Sequence, residues 1–397
     1  MKTVCGLAKK CFLAVLAGCI ILGSSGCNKA VVEEEVLGPV FFPPPPNQPK
    51  LQFLTSFKGG EKFDIEKPGF LETFVLGDAE IKVGTIGQPY GVAIHEGKIY
   101  VCDVGHANIK VMDLVNNKFT IFPSGRSLTR PVNMFIEPDG TKYVADSTGG
   151  AIVVFNADDK LTSYLGNKLG IRPIDVYVRD GRVYLTDMNS NQVLVLDKRS
   201  GELIERIGKP LADRANWQPD EFSMITDLTL DQEGNIYVGD KLKGRLTTFG
   251  SNGAFLRSYG QPGSTPASLV RVKGIAVDRE SRVWVVDAGP AQAVKVFRED
   301  GRLLMLFGLL GTEPGQMYMP ADVIIDYDNV DLFKDYVVKG AKLDFIVLVT
   351  NQYGDQMVSV YGFGNFPEKY SQPFVGDESD KSQVEKTNES KEPTSGE

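Results

Sequence analysis

Apolar and polar residues alternate in short runs along most of the chain, and clusters of Gly, Asp and Asn separate the runs. Alternation at period two puts successive side chains on opposite faces of an extended backbone, so the pattern predicts strands. The runs also return in a fixed order. A short apolar strand leads through a turn into a second strand that ends in Asp. A second turn then leads into a third, alternating strand. The first strands fall at 91–94, 133–136, 175–178, 227–230, 274–277 and 322–325, giving spacings of 42, 42, 52, 47 and 48 residues. The second strands end at Asp103, Asp146, Asp187, Asp240, Asp287 and, in the sixth unit, Asn351.

A period in the forties with three or four strands per repeat is that of a β-propeller blade. A fourth strand is legible at 161–165, 203–207, 255–259 and 303–307. The sixth unit has none after Tyr361, but Leu51-Gln52-Phe53-Leu54-Thr55-Ser56-Phe57, ahead of the first unit, carries the matching pattern. Pairing it with the last blade closes the ring and removes an open sheet edge. The predicted fold is therefore all-β, a six-bladed propeller over 51–366 closed by an N-terminal strand. An excursion from Tyr327 to Leu343 interrupts the sixth unit, and a long connection from Lys209 to Phe222 carries Trp217. Both are candidate docking elements, and simple loop insertion explains them equally.

The ends have a different character. Lys2, Lys9 and Lys10 precede an apolar run from Cys11 to Leu22, then small residues and Cys27, the order of a secretory signal peptide over 1–26. The run is shorter than the ~20 residues a spanning helix needs. Leu16-Ala17-Gly18-Cys19 resembles the bacterial lipobox closely, whereas Ser24-Ser25-Gly26-Cys27 has Ser where that box prefers an aliphatic residue. Placement at the end of the apolar run favours Cys27 as the lipidated residue, with Cys19 the alternative. The segment 27–50, with Phe41-Phe42-Pro43-Pro44-Pro45-Pro46, reads as a Pro-rich stalk, and 367–397, crowded with Glu, Lys, Ser and Thr, as a disordered polar tail. An exported protein lipid-anchored to the cell envelope, on the periplasmic or outer side, is expected.

Charge and composition narrow the chemistry. With 43 Lys+Arg against 51 Asp+Glu, the net charge of −8 argues against a nucleic-acid partner. Two histidines rule out multi-histidine zinc or haem ligation. No nucleophile elbow, phosphate loop, dinucleotide fingerprint or H-E-x-x-H is present. His95 and His106 read as turn residues, and Cys102, at a position held by Ala145 and Gly239 in other units, as a buried free thiol.

The forms R-P-x-D-V-x-V, G-N-I-Y-V-x-D and G-x-F-L-R-S-Y-G resemble NHL repeats across essentially all of 51–364. With the signal peptide and Pro-Pro-Pro-Pro stalk, the chain resembles the lipid-anchored NHL-repeat proteins of cytochrome-rich anaerobic Gram-negative bacteria. The resemblance implies a propeller in the envelope and no established reaction.

In a propeller the starts of the first strands line one mouth of the central channel. The six equivalent residues are Gly91, Asn133, Asp175, Asp227, Gly274 and Asp322. Two readings stand. Asn133, Asp175, Asp227 and Asp322 could hold calcium through oxygen ligands, as in similar six-bladed propellers of the paraoxonase and gluconolactonase type. Alternatively the carboxylates cap local backbone. Three residues earlier stand Gln88, Arg130, Arg172, Met224, Arg271 and Met319. Arg130, Arg172 and Arg271 would rim the mouth, either to bind an anionic ligand or to neutralise nearby carboxylates. The terminal Asp of each second strand reads as structural, fixing the turn that follows. The expected function is a monomeric scaffold for an envelope protein partner, linked to a cytochrome assembly, or for a small ligand. The alternative is a calcium-dependent lactonase- or esterase-like hydrolase.

Overall fold

The computed structural model describes residues 38–65, 84–123, 128–213 and 215–372, and Pro39–Val375 forms one compact unit. The signal peptide, Cys19, Cys27 and most of the polar tail lie outside the described residues. Six antiparallel sheets account for the six repeats. The inner strands are Pro89–His95, Pro131–Ile136, Pro173–Arg179, Ile225–Leu230, Val272–Val277 and Pro320–Asp326, numbered here as blades 1 to 6. Each inner strand touches that of the next blade, and blade 6 touches blade 1, so the ring is closed.

Closure occurs where the alternation places it. Leu51–Phe57 pairs antiparallel with Val358–Asn365 and supplies the fourth strand of blade 6. Phe41–Phe42 adds a fifth strand outside it, with Phe41 opposite Gln52. This part of the predicted stalk is thus folded onto the propeller. Phe41 is buried against Phe366 and Tyr370, an apolar contact that a Pro-rich count does not register. Tyr370 belongs to a short 3-10 turn, Glu368–Ser371, so order also extends past the predicted end at 366. In blade 1 a fourth strand, Lys118–Phe122, is present, and Asp64–Ile65 joins its edge in parallel.

The cores lie between blades. Six clusters of buried apolar side chains occupy the six blade interfaces. One second-strand position explains the aromatic signature. Tyr100, Tyr143, Tyr184, Tyr237 and Trp284 each enter the cluster shared with the following blade. A large ring there fills the widening wedge between two twisted sheets. The insertion after Asp326 forms a 3-10 helix, Val330–Tyr336, which buries Phe333. It is pinned by Gly97 N–H to Asn329 Oδ1 and by Gln52 Nε2 to the Tyr336 carbonyl.

Candidate functional site

The ring residues converge at the axis, and all three carboxyls are buried. Each reaches the next blade by one rule, accepting the N–H one residue past that blade's ring position. Asp175 accepts from Leu228 at 2.8 Å, Asp227 from Ile275 at 2.6 Å, and across the closure Asp322 accepts from Val92 at 3.0 Å. Asp175 and Asp322 also accept from their own following residues, Val176 and Val323. Asn133 Nδ2 points to Asp227 Oδ1 at 3.5 Å. The two glycines make room for this. A Cβ on Gly91 would lie 2.6 Å from Asn133 Cα, and one on Gly274 2.6 Å from Asp322 Cα.

Burial dominates the charge state of the ring. It pushes the Asp322 carboxyl up to about 8, helped by Asp175, and Asp175 up to about 6. Asp227 is driven well above the carboxylate range by burial and by its two acidic neighbours. Asp175 and Asp227 face each other in the ring, an arrangement that favours a shared proton over two carboxylate charges. At neutral pH the ring therefore holds protons on part of its carboxyls and carries less charge than three carboxylates would. Both oxygens of each carboxyl already have a donor. A cation here would have to displace backbone N–H groups and protons. Among the described residues no three His, Cys, Asp or Glu side chains are grouped as metal ligands.

Above the ring, the strand-end aspartates organise the mouth. Asp146 accepts the N–H groups of Thr129 and Arg130 and, from the turn beyond, of Gly149. Asp187 holds Arg172 N–H at 2.7 Å and Asp287 holds Arg271 N–H at 2.7 Å. These carboxylates fix the following turn, as the sequence suggests, and also clamp the segment that enters the same blade. The backbones of Arg130, Arg172 and Arg271 are thus tied down while their side chains are exposed. None of the three pairs with a ring carboxylate.

Two further cations complete the mouth. Lys273 is the residue before Gly274 and Lys241 follows Asp240. Lys273 is 6% exposed. Its ammonium donates to Gln352 Oε1 at 2.9 Å and lies 5.7 Å from the Tyr90 ring centre. Burial, with Lys241 and Arg271 beside it, lowers Lys273 to about 8, and burial with Arg271 lowers Lys241. Tyr90 sits over the ring, where burial and the three carboxyls push its hydroxyl up and Arg130 opposes them. Across all six blades, the positions three before and one before the ring residue, and one after the strand-end acid or amide, carry five cations and no carboxylate. The carboxylates beside them, Asp146, Asp187, Asp240 and Asp287, are engaged by backbone N–H groups, so these cations form no ion pair among the described residues. Lys241, Lys273 and Tyr90 escape a reading by motif. Aligning the repeats at those two extra positions finds them.

The remaining candidates are structural or peripheral. His106 Nδ1 lies 2.7 Å from Asp103 Oδ2 in a turn. His95 lies at the opposite end of blade 1's inner strand. Cys102 is a buried free thiol, its ionisation pushed well up by burial. Trp217 stacks against Lys243 and Arg245, with ring-centre distances of 4.0 and 4.2 Å.

No protein-family model matches the chain. Over 140 residues, 34% of the chain, it is 27% identical to NHL repeat-containing protein 3 of Homo sapiens, and the match spans 40% of that relative. Repeat register, six closed blades and this relative fit an NHL-repeat propeller. Solved structures agree on the propeller fold. A Bacteroides thetaiotaomicron protein of unknown function superposes with a TM-score of 0.55 at 12% identity, covering 79% of this chain and 75% of its own. Regucalcin of Agrobacterium tumefaciens, a calcium-binding protein, gives 0.50 at 12% identity, covering 71% and 92%.

Proposed function

We propose that this NHL-type propeller is a binding scaffold tethered at the cell envelope, and that its ligand face is the channel mouth bearing Arg130, Arg172 and Arg271. The supporting observation is the set of five mouth cations without a carboxylate partner on an otherwise acidic protein. Exposed arginines held on clamped backbone offer planar, bidentate donors at little entropic cost. The partner this favours is an acidic envelope protein, a cytochrome assembly component being the first candidate, or a small anionic ligand. The tether follows from Cys27, or Cys19, as a lipidation site.

The test is affinity purification of the full-length chain from detergent-solubilised membranes. A stoichiometric partner retained by the wild type and lost in Arg130→Glu/Arg172→Glu/Arg271→Glu supports the mouth as the docking face. Retention of the same partner by the triple variant refutes it. The convergence of Asp175, Asp227, Asp322 and Asn133 at the axis keeps a second reading in view, a calcium-assisted lactonase or esterase. That reading needs calcium binding that is lost in Asp175→Ala/Asp227→Ala, measured by calorimetry.

A further inference from the structure

We propose that the wall of the mouth formed by blades 4 and 5 is a site for one oxyanion, a carboxylate or a phosphate group, seated among Lys273, Lys241 and Arg271. This deepens the binding reading by naming the chemistry at one part of the mouth.

The central observation is Lys273. Nearly all of its side chain is buried, yet its ammonium meets only neutral groups, Gln352 Oε1 at 2.9 Å and the Tyr90 ring at 5.7 Å. An ammonium has three donors, and a buried one without a counter-ion is costly. Two more cations stand beside it. Arg271 lies in the bend just ahead of the strand Val272–Val277 that carries Lys273, and Lys241 follows the second strand of the preceding blade, Ile236–Asp240; both charges act on the Lys273 ammonium. None of the three forms an ion pair among the described residues. Two other buried lysines are paired with carboxylates, whereas Lys110, also buried, has only the charge of Asp103 acting on it. Lys295 is paired with Asp287 at 2.8 Å, and Lys142 with Asp159 at 2.6 Å.

The rest of the mouth supplies neutral donors. Ser147 of blade 2 is 4% exposed and its hydroxyl has no hydrogen-bond partner. Tyr90 of blade 1 carries a hydroxyl held protonated by burial and the carboxyls below. The ring under the site holds protons, so it does not repel an anion as three carboxylates would. Arg130 and Arg172 are exposed like Arg271, but only Arg271 and Lys241 act on the buried Lys273 ammonium.

The experiment is titration calorimetry on the full-length protein in detergent at pH 8 and constant ionic strength, with inorganic phosphate and with succinate as separate probes. A single saturable site for at least one probe is expected. Binding should take up protons, read from the dependence of the heat on buffer ionisation. A counter-ion raises the affinity of Lys273 for its proton, and Lys241, Arg271 and Tyr90 are the other charged or titratable groups beside it. Lys273→Met should weaken binding at least tenfold and Lys241→Met several-fold. Phosphate alone binding assigns a phosphoryl ligand, succinate alone a carboxylate one. No heat from either probe, or undiminished binding in both lysine variants, overturns the proposal. If Lys273→Met does not fold, Lys241→Met decides. A failed titration alongside a partner still lost in the arginine variants removes this site and leaves the scaffold reading standing.

Discussion

Two tiers of the same channel are built from neighbouring positions of one repeat, and they treat charge in opposite ways. In the axial ring every carboxyl oxygen has a donor, and the three acids staple blade 3 to 4, 4 to 5 and 6 to 1. In the mouth directly above, five cations form no ion pair among the described residues, the strand-end carboxylates beside them being taken up by backbone N–H groups and by Lys295. A self-satisfied cluster explains itself by the stability it provides. An unsatisfied one has a cost to the fold, and its explanation lies outside the chain. The contrast separates what holds the propeller shut from what it presents.

The contrast is broken most severely at the ring. Gly274→Ala places a Cβ 2.6 Å from the Asp322 backbone, where neither strand can retreat without opening the channel. A loss of about 3 kcal/mol is expected, read as the unfolding midpoint in denaturant. Asp322→Ala comes next. It strands the buried N–H groups of Val92 and Val323, at about 1–3 kcal/mol each.

Much of this was legible in advance, and the reasons are physical. Period-two alternation and the recurring strand-end acid report backbone geometry directly, so six blades and the closure by Leu51–Phe57 could be read from the chain. The ring residues could be located by register, but not their charge state. That depends on Asp175, Asp227 and Asp322 meeting across the axis from blades far apart in sequence. Lys273 was hidden for the same reason. Its partner Gln352 is 79 residues away, and nothing local marks it as buried. The fifth strand at Phe41–Phe42 escaped because prolines flanking a two-residue pairing outweigh it in any window.

The pH dependence of stability sharpens the comparison, because the two tiers pull in opposite directions. Ring carboxyls hold protons more tightly in the fold than in the unfolded chain. Their contribution is therefore full below about pH 4 and is lost as pH rises through about 6 for Asp175 and about 8 for Asp322. The midpoint of thermal unfolding should fall over that range, and Asp322→Asn should flatten the upper part of the fall. Lys273 has the reverse sign. Its folded value of about 8 lies below the ordinary 10.5, so the penalty of burying its charge is complete below pH 8 and is relieved between those values. Lys273→Met should consequently stabilise the protein at pH 7, on the order of 1 kcal/mol, by removing an uncompensated ammonium. A destabilising result there would place Lys273 among the staples of the ring and remove the distinction between the tiers.

The smallest effect on the fold belongs to the rim, and it is the most informative about function. Arg130→Glu, Arg172→Glu and Arg271→Glu change side chains that are exposed and unpaired, and leave the backbone N–H groups of all three in the grip of Asp146, Asp187 and Asp287. Surface substitutions of this kind usually move stability by no more than about 0.5 kcal/mol each. Reversing three charges also places carboxylates near Lys273 and Lys241, which offsets part of the repulsion already stored there. The triple variant should therefore melt within a few degrees of the wild type in the same calorimetric scan while losing whatever anionic surface the mouth holds. A large drop in its midpoint would mean that the arginines serve local pairing in the fold, and the mouth would then be as self-contained as the ring beneath it.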